Sequence, residues 1–175
     1  MQEFNNIYPD NKQDMYHLLK IQIQTMLEGE KDVIANLSNC SALLNEALTD
    51  INWIGFYLMK QGELILGPFQ GKLACIHIPV GKGVCGTAVE KKEIQLVKDV
   101  HEFPGHIACD SASQSEVVIP MMLKDKVIGV LDIDSPSIAR FDEVDAKELE
   151  EIVQLIIEGC SWESEIRYDF SGGNM

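Results

Sequence analysis

Three cysteines near the middle of the chain occupy positions where a thiol could react. Cys109 lies in HEFPGHIACDSASQSE, a polar stretch broken by Pro and Gly, although a free cysteine normally prefers the interior. Cys85 follows a Gly-Lys-Gly turn at the predicted start of a helix, a position that lowers the pKa of a thiol. A disulfide from Cys75 or Cys85 to Cys109 would close a loop of roughly 24 to 34 residues, which a flexible segment permits.

The cysteine count favours redox or catalytic chemistry over a disulfide scaffold. The chain has five cysteines, an odd number, and its N-terminus lacks the basic and apolar regions of a secretory signal. The expected location is therefore the cytoplasm, where thiols stay reduced. Cys40 and Cys160 fall in predicted amphipathic helices and are assigned to packing.

Zinc ligation is an alternative use of the same thiols. Enough nitrogen and sulfur ligands for a zinc ion are available from Cys75, His77, Cys85, His106 and Cys109. Their spacing matches no usual structural zinc pattern, and Cys109 stands in a long polar loop. We therefore expect no metal, and keep zinc as the less favoured interpretation.

Three acidic residues are predicted to meet at one end of a sheet. In the strand KVIGVLDIDS, Asp132 and Asp134 share a face at a separation of ~6.6 Å, and Asp is depleted in strands. A hairpin at 124–125 places Glu116 opposite about position 133. Clustered carboxylates bind cations or ammonium groups, or they retain a proton because they cannot all ionise cheaply. For Asp134, capping of the turn that follows is an equally good explanation.

Two aromatic residues flank a glycine on another predicted strand. In NWIGFYLM, Trp53, Gly55 and Tyr57 point to one face, which leaves a notch between two rings. The notch is a candidate binding surface, and ordinary cross-strand aromatic packing is the alternative.

The elements that must position these residues follow from the hydrophobic period. Apolar residues at helical spacing predict helices over about 11–28, 31–48 and 142–166, and a glycine-rich turn opens a short helix in GKGVCGTAVEKKE. Period-two runs predict six strands within 52–134, with hairpins at Gln61-Gly62 and Lys124-Asp125. Residues 99–114 are predicted to form a long loop. The order ααβββαβββα indicates one α+β domain over residues 1–175.

Charge and hydropathy exclude two classes of partner. The net charge is −14 and no basic stretch offsets it, which argues against a nucleic-acid or anionic-membrane surface. No apolar run approaches the ~18 residues that span a bilayer.

The motifs together resemble a known family. In this order, NWIGFYL, ACIHIPVGKGVCGTAV, FPGHIACDSASQSEVVIPM and GVLDIDSP resemble the GAF-domain free methionine-(R)-sulfoxide reductases, with the likeness running from the first helix to the last. The resemblance implies a six-stranded antiparallel sheet with helices against one face. It also implies that the substrate is the free amino acid methionine-R-sulfoxide.

The resemblance further implies a role for each candidate residue. Cys109 would be the nucleophile, Cys75 the main resolving thiol and Cys85 a second resolving or relay thiol. Trp53 and Tyr57 would line the pocket, and the ligand's polar groups would contact three acids, namely Glu116, Asp132 and Asp134.

The chemistry of a sulfoxide suits such a site. Its sulfur becomes electrophilic when the oxygen is protonated, so an acid is needed, and we favour Glu116 with Asp134. Attack by Cys109 would give methionine and a sulfenic acid. A second thiol would then form a disulfide. Thioredoxin, which receives its electrons from NADPH, would reduce that disulfide. No bound cofactor is expected, and a homodimer through the terminal helices is a reasonable expectation. The alternative function is a non-catalytic GAF module that senses a small molecule or redox state.

Overall fold

The computed structural model describes residues 8–105 and 111–163. Its order of helices and strands confirms the predicted order. One addition is a short 3₁₀-helix at Val100–Glu102, inside the segment predicted as a loop. The helices are α1 Lys12–Leu27, α2 Val33–Ala47, α3 Gly83–Lys91 and α4 Glu143–Gly159. The strands are β1 Trp53–Lys60, β2 Glu63–Gly71, β3 His77–Pro79, β4 Gln95–Val97, β5 Ser115–Leu123 and β6 Lys126–Ser135.

The six strands form one antiparallel sheet in the order β3-β2-β1-β6-β5-β4. Both predicted hairpins are present. Gln61 and Gly62 have φ of 54° and 85°, and Lys124 has φ of 57°, the left-handed values that suit the twist of two-residue hairpin turns. Strands β1 and β6 are central, so their side chains are covered on both faces.

The sheet separates two apolar layers. Helices α1, α2 and α4 pack on the face formed by alternate residues of the central strands, among them Ile54, Phe56, Leu131 and Ile133. Helix α3 packs on the opposite face, so the expectation that the helices all lie against one face is wrong for α3. Because Trp53 and Tyr57 alternate with the core residues of β1, they lie on the face that α3 covers.

Two predicted elements change their bounds. Helices α1 and α2 confirm the spans 11–28 and 31–48 to within two residues at each end. The last helix was predicted over 142–166, but α4 ends at Gly159 because Cys160 is extended and the Ser161 N–H donates to the Lys31 carbonyl. Residues 164–166 lie outside the described residues. The strand predicted over 72–80 is reduced to β3.

Among the residues that the structure describes, no helix combines the length and the apolar character needed to cross a membrane.

Candidate active site

A register shift in the β5–β6 hairpin brings the three acids to one face. Near the turn Leu123 pairs with Lys126, but beyond a bulge at Met121/Met122 the register moves by one residue, and Glu116 pairs with Asp134. The sequence predicted position 133 as the partner. That pairing would have put Glu116 on the face that α1, α2 and α4 cover, because a slip of one residue moves every side chain of a strand to the other face. The bulge therefore builds the acidic cluster.

The aromatic residues of β1 complete the row across the sheet. Trp53 pairs with Asp134 and Gly55 pairs with Asp132. The Trp53 ring stacks on Tyr57 at 5.8 Å between centroids and on Phe69 at 5.4 Å. The cross-strand packing alternative is thus correct for Trp53 and Phe69.

Gly55 is required by this packing, although no open notch lies above it. A Cβ atom on Gly55 would stand 2.6 Å from Cη2 of Trp53 and 2.4 Å from Cβ of Phe69. The indole of Trp53 therefore occupies the space predicted as a notch. The surface offered by Trp53 and Tyr57 is a stacked aromatic wall.

The polar tips of the two aromatic residues hold the segment that carries Cys75. Trp53 Nε1 donates to the Lys72 carbonyl at 3.1 Å, and the Tyr57 hydroxyl donates to the Cys75 carbonyl at 3.1 Å. Cys75 is disulfide-bonded and partly exposed, and the other described cysteines, Cys40, Cys85 and Cys160, are free thiols.

Cys85 lies in the first turn of α3, and its thiol faces the acids. Gly81 and Gly83 have φ of 78° and 60°, left-handed values that glycine tolerates, and this turn directs the start of α3 toward the sheet. The side chain is 4% exposed. Its thiol donates a hydrogen bond to the Asp132 carboxylate.

The pKa of Cys85 is raised, which corrects the expectation from its helix position. Burial raises it well above the usual value, and the charges of Asp132 and Glu116 raise it further. A helix N-terminus contributes up to ~2 kcal/mol, about 1.5 pKa units, whereas full burial shifts a pKa by up to about 3–5 units. Burial therefore dominates, and Cys85 is a protonated thiol at neutral pH.

Two of the carboxyl groups differ in protonation. Burial raises the pKa of Glu116 well above its usual range, and Asp132 and Asp134 raise it further. Burial also raises the pKa of Asp132, to about 6, against the hydrogen bonds it accepts from Cys85, Glu116 and the Ile133 N–H. Of this pair, Glu116 is therefore the carboxyl group that holds a proton more tightly, and it donates to Asp132.

These groups line one cavity. Its walls include all three acids with Trp53, Tyr57 and Cys85, together with the chain from Lys82 to Val84 at the start of α3. Burial raises the pKa of the Tyr57 phenol, with the nearby carboxylates adding to the shift, so the phenol remains a neutral donor.

The predicted site residues that the structure describes are brought together. Glu116, Asp132, Asp134, Trp53, Tyr57 and Cys85 share the cavity, and Cys75 is held at its edge by Tyr57. Cys109 lies outside the described residues. Of the predicted zinc ligands, His77 is exposed and its Nδ1 lies 2.9 Å from Oε1 of Glu63, and His106, like Cys109, lies outside the described residues.

Sequence reasoning missed several contributors to this site. Phe69 pairs with Gly55 only because the β1–β2 register shifts between Gly55 and Tyr57, which counting from the turn does not reveal. Lys82 and Ser113 also line the cavity. The Gly-Lys-Gly turn was a usable signal for Lys82, whereas Ser113 carried none.

Comparisons with known proteins agree with the geometry. A family model described as GAF domain matches residues 39–157. The free methionine-R-sulfoxide reductase of Escherichia coli (strain K12) is 53% identical over 143 residues, covering 82% of this chain and 87% of that protein.

Solved structures extend the agreement. The fRMsr of Staphylococcus aureus, in complex with substrate, is 56% identical with a TM-score of 0.81, covering 89% of this chain and 99% of that one. The free methionine-R-sulfoxide reductase of Neisseria meningitidis, in complex with its substrate, is 40% identical with a TM-score of 0.89, covering 95% and 99%. From its fold, its acidic and aromatic cavity and these relatives, the chain belongs to the GAF-domain free methionine-R-sulfoxide reductase family.

Proposed function

We propose that this protein reduces free L-methionine-(R)-S-oxide to L-methionine by thiol chemistry. One observation carries the proposal: Glu116, with a pKa raised well above its usual range, lies beside Asp132 in a cavity walled by Trp53 and Tyr57, next to the segment of the disulfide-bonded Cys75. Relatives named for this activity support the choice of substrate.

Glu116 is the proposed acid. Protonation of the sulfoxide oxygen makes its sulfur attackable, and a positioned acid contributes roughly 10²–10⁴-fold to such a step. Only a carboxyl group that keeps its proton near neutral pH can act in this way. Glu116 is the carboxyl group proposed to meet that condition, and the charge of Asp134, its cross-strand neighbour, raises the pKa of Glu116 further and so helps it keep the proton.

The remaining cavity groups suit the two charged ends of a free amino acid. The Asp132 and Asp134 carboxylates attract the ammonium group. Lys82 and the positive end of α3, which also line the cavity, attract the α-carboxylate. The stacked rings of Trp53 and Tyr57 accept the S-methyl group and the partial positive charge on sulfur. A peptide-bound methionine sulfoxide lacks both charged ends, so it is excluded.

Cys109 is the proposed nucleophile. Its thiolate attacks the sulfoxide sulfur and receives the oxygen, so that methionine leaves and a cysteine sulfenic acid remains. The Cys75 thiol then attacks that sulfur, releasing water and forming a disulfide. Cys109 is the proposed partner of Cys75 in the disulfide, because the other described cysteines are free thiols.

Cys85 is a slower second resolving or relay thiol in this scheme. Its thiol is buried and protonated at neutral pH, and the thiolate is the reactive form. Cys75 is partly exposed and is held at the cavity edge, which favours it as the main resolving residue.

An external dithiol of the thioredoxin type closes the cycle. The partly exposed Cys75 stands between two exposed apolar side chains, with Leu73 at 91% and Ile76 at 61% exposure. An incoming dithiol can therefore reach the disulfide and bury apolar surface as it does so. The electrons come from NADPH through this partner, and no bound cofactor is needed.

A coupled assay tests the function. Purified protein is mixed with thioredoxin, thioredoxin reductase and NADPH, and NADPH oxidation is followed after addition of each epimer of methionine sulfoxide. We expect turnover with the free R epimer, and none with the S epimer or with a peptide that contains methionine sulfoxide.

Two cysteine variants complete that assay. Cys109→Ser is expected to be inactive, and Cys160→Ser, which removes a thiol outside the cavity, is expected to retain the wild-type rate. Absence of turnover on the R epimer would instead favour the non-catalytic sensor, and full turnover by Cys109→Ser would exclude the proposed nucleophile.

A further inference from the structure

We propose that Cys85, Glu116 and Asp132 form a binding site for a single thiophilic divalent cation, with Zn²⁺ and Cd²⁺ as the best candidates. The three residues come from α3, β5 and β6, and one ligand atom from each lies within 4.8 Å of the other two. The cation is an exogenous ligand of the cavity. It is distinct from the zinc set considered from the sequence, of which only Cys85 takes part.

An unsatisfied oxygen points to a missing cation at this cluster. Asp132 is 6% exposed, and its Oδ1 is buried without a hydrogen-bond donor among the described residues. A buried polar atom with no partner costs about 1–3 kcal/mol, and more when the group is charged. A bound cation would satisfy that oxygen, which neither Cys85 nor Glu116 does.

The dimensions of the cluster fit a tetrahedral ion after a small adjustment. Zinc binds sulfur at about 2.3 Å and carboxylate oxygen at about 2.0–2.2 Å, so neighbouring ligand atoms lie about 3.5 Å apart. Since the present separations are at most 4.8 Å, the side chains approach one another by about 1.3 Å or less. The fourth position faces the cavity and is left for water or an anion.

The ligand types decide which ions bind. A thiolate is a soft ligand that selects Zn²⁺ and Cd²⁺ over Mg²⁺ and Ca²⁺, which prefer sites of oxygen atoms alone. Metal ligands bind in their deprotonated form, so binding forms one metal–sulfur and two metal–oxygen bonds and releases the protons that the ligands carry to solvent. Affinity therefore increases with pH.

Absorption spectroscopy on the disulfide form of the protein tests the site. With Cys75 in its disulfide, the metal-free protein is titrated with Cd²⁺ while the charge-transfer absorption from thiolate to metal is recorded. We expect saturation at one equivalent, no change with Mg²⁺, and release of protons at neutral pH by calorimetry in buffers of different ionisation enthalpy.

Variants assign the ligands. Cys85→Ser should abolish the charge-transfer band, whereas Cys160→Ser, which removes the half-buried free thiol near the end of α4, should leave it unchanged. Asp132→Asn keeps the thiol and should weaken binding at least tenfold, with circular dichroism to verify folding. A band that survives Cys85→Ser, disappears in Cys160→Ser, or is unaffected by Asp132→Asn would overturn the proposal.

A further consequence rests on the proposed function. If the same acids hold methionine-R-sulfoxide, Cd²⁺ and the sulfoxide should compete for the cavity. Because metal binding is detected spectroscopically, its failure and the failure of the reductase activity are separate results.

Discussion

Replacing Asp132 by Asn should stabilise the protein increasingly as the pH rises. Asn has nearly the same shape but carries no charge. Burial raises the pKa of Asp132 from 3.8 to about 6. A group with a raised folded-state pKa binds its proton more tightly in the native protein. Its contribution to stability is therefore fully present below pH 3.8 and is lost as the pH rises through 6.

The size of the effect follows from the same two values. Linkage gives a destabilisation of about 2 kcal/mol at pH 5 and about 3 kcal/mol at pH 8 for one such group, relative to acid. The Asn side chain does not titrate, so the variant has neither destabilisation. The stability difference between variant and wild type should therefore increase by about 1 kcal/mol from pH 5 to pH 8, while any lost hydrogen bond affects both measurements alike.

Urea unfolding of the disulfide form, followed by circular dichroism at pH 5 and pH 8, measures this difference. Asp125→Asn, at the exposed β5–β6 turn, serves as a control for the removal of one negative charge. If the stability difference from wild type increases between pH 5 and pH 8 for Asp132→Asn but not for Asp125→Asn, the result supports a buried Asp132 with a raised pKa. Equal stability differences at both pH values, or a decrease at pH 8, would refute the electrostatic description of the cavity.

Three further predictions concern catalysis. Glu116→Gln should lower turnover roughly 10²–10⁴-fold in the coupled assay while the protein remains folded; wild-type rates would exclude Glu116 as the acid. Cys75→Ser should stop after one methionine per chain while Cys85→Ser sustains turnover, as product counting will show; sustained turnover by both would make the resolving roles interchangeable. Ile76→Ser should raise KM for thioredoxin several-fold without changing the rate with dithiothreitol, whereas Ile138→Ser, at a similarly exposed apolar position (58%), should change neither; equal KM values would place the partner elsewhere.

Period and turn chemistry were enough to predict the elements. Alternation assigned Trp53 and Tyr57 to one face and Ile54 and Phe56 to the other, and the turns at Gln61-Gly62 and Lys124-Asp125 paired the strands correctly near the hairpins. These are local properties, since each depends on residues close together in the chain.

The register far from the turns was not predictable in the same way. The bulge at Met121/Met122 moves the partner of Glu116 by one residue, and no local signal marks it. The pKa of Cys85 depends on what α3 packs against, so the helix position alone suggested the wrong sign. Both features are set by tertiary packing, and together they determine the chemistry of the site.

Single turnover is the most direct test of the central claim, which is that thiols of this chain reduce free methionine-R-sulfoxide. Fully reduced protein is mixed with excess R epimer in the absence of any external reductant, and methionine and disulfides are then quantified. We expect one methionine per chain and one new disulfide joining Cys75 to Cys109. No methionine from the R epimer, or an equal yield from Cys109→Ser, would contradict it.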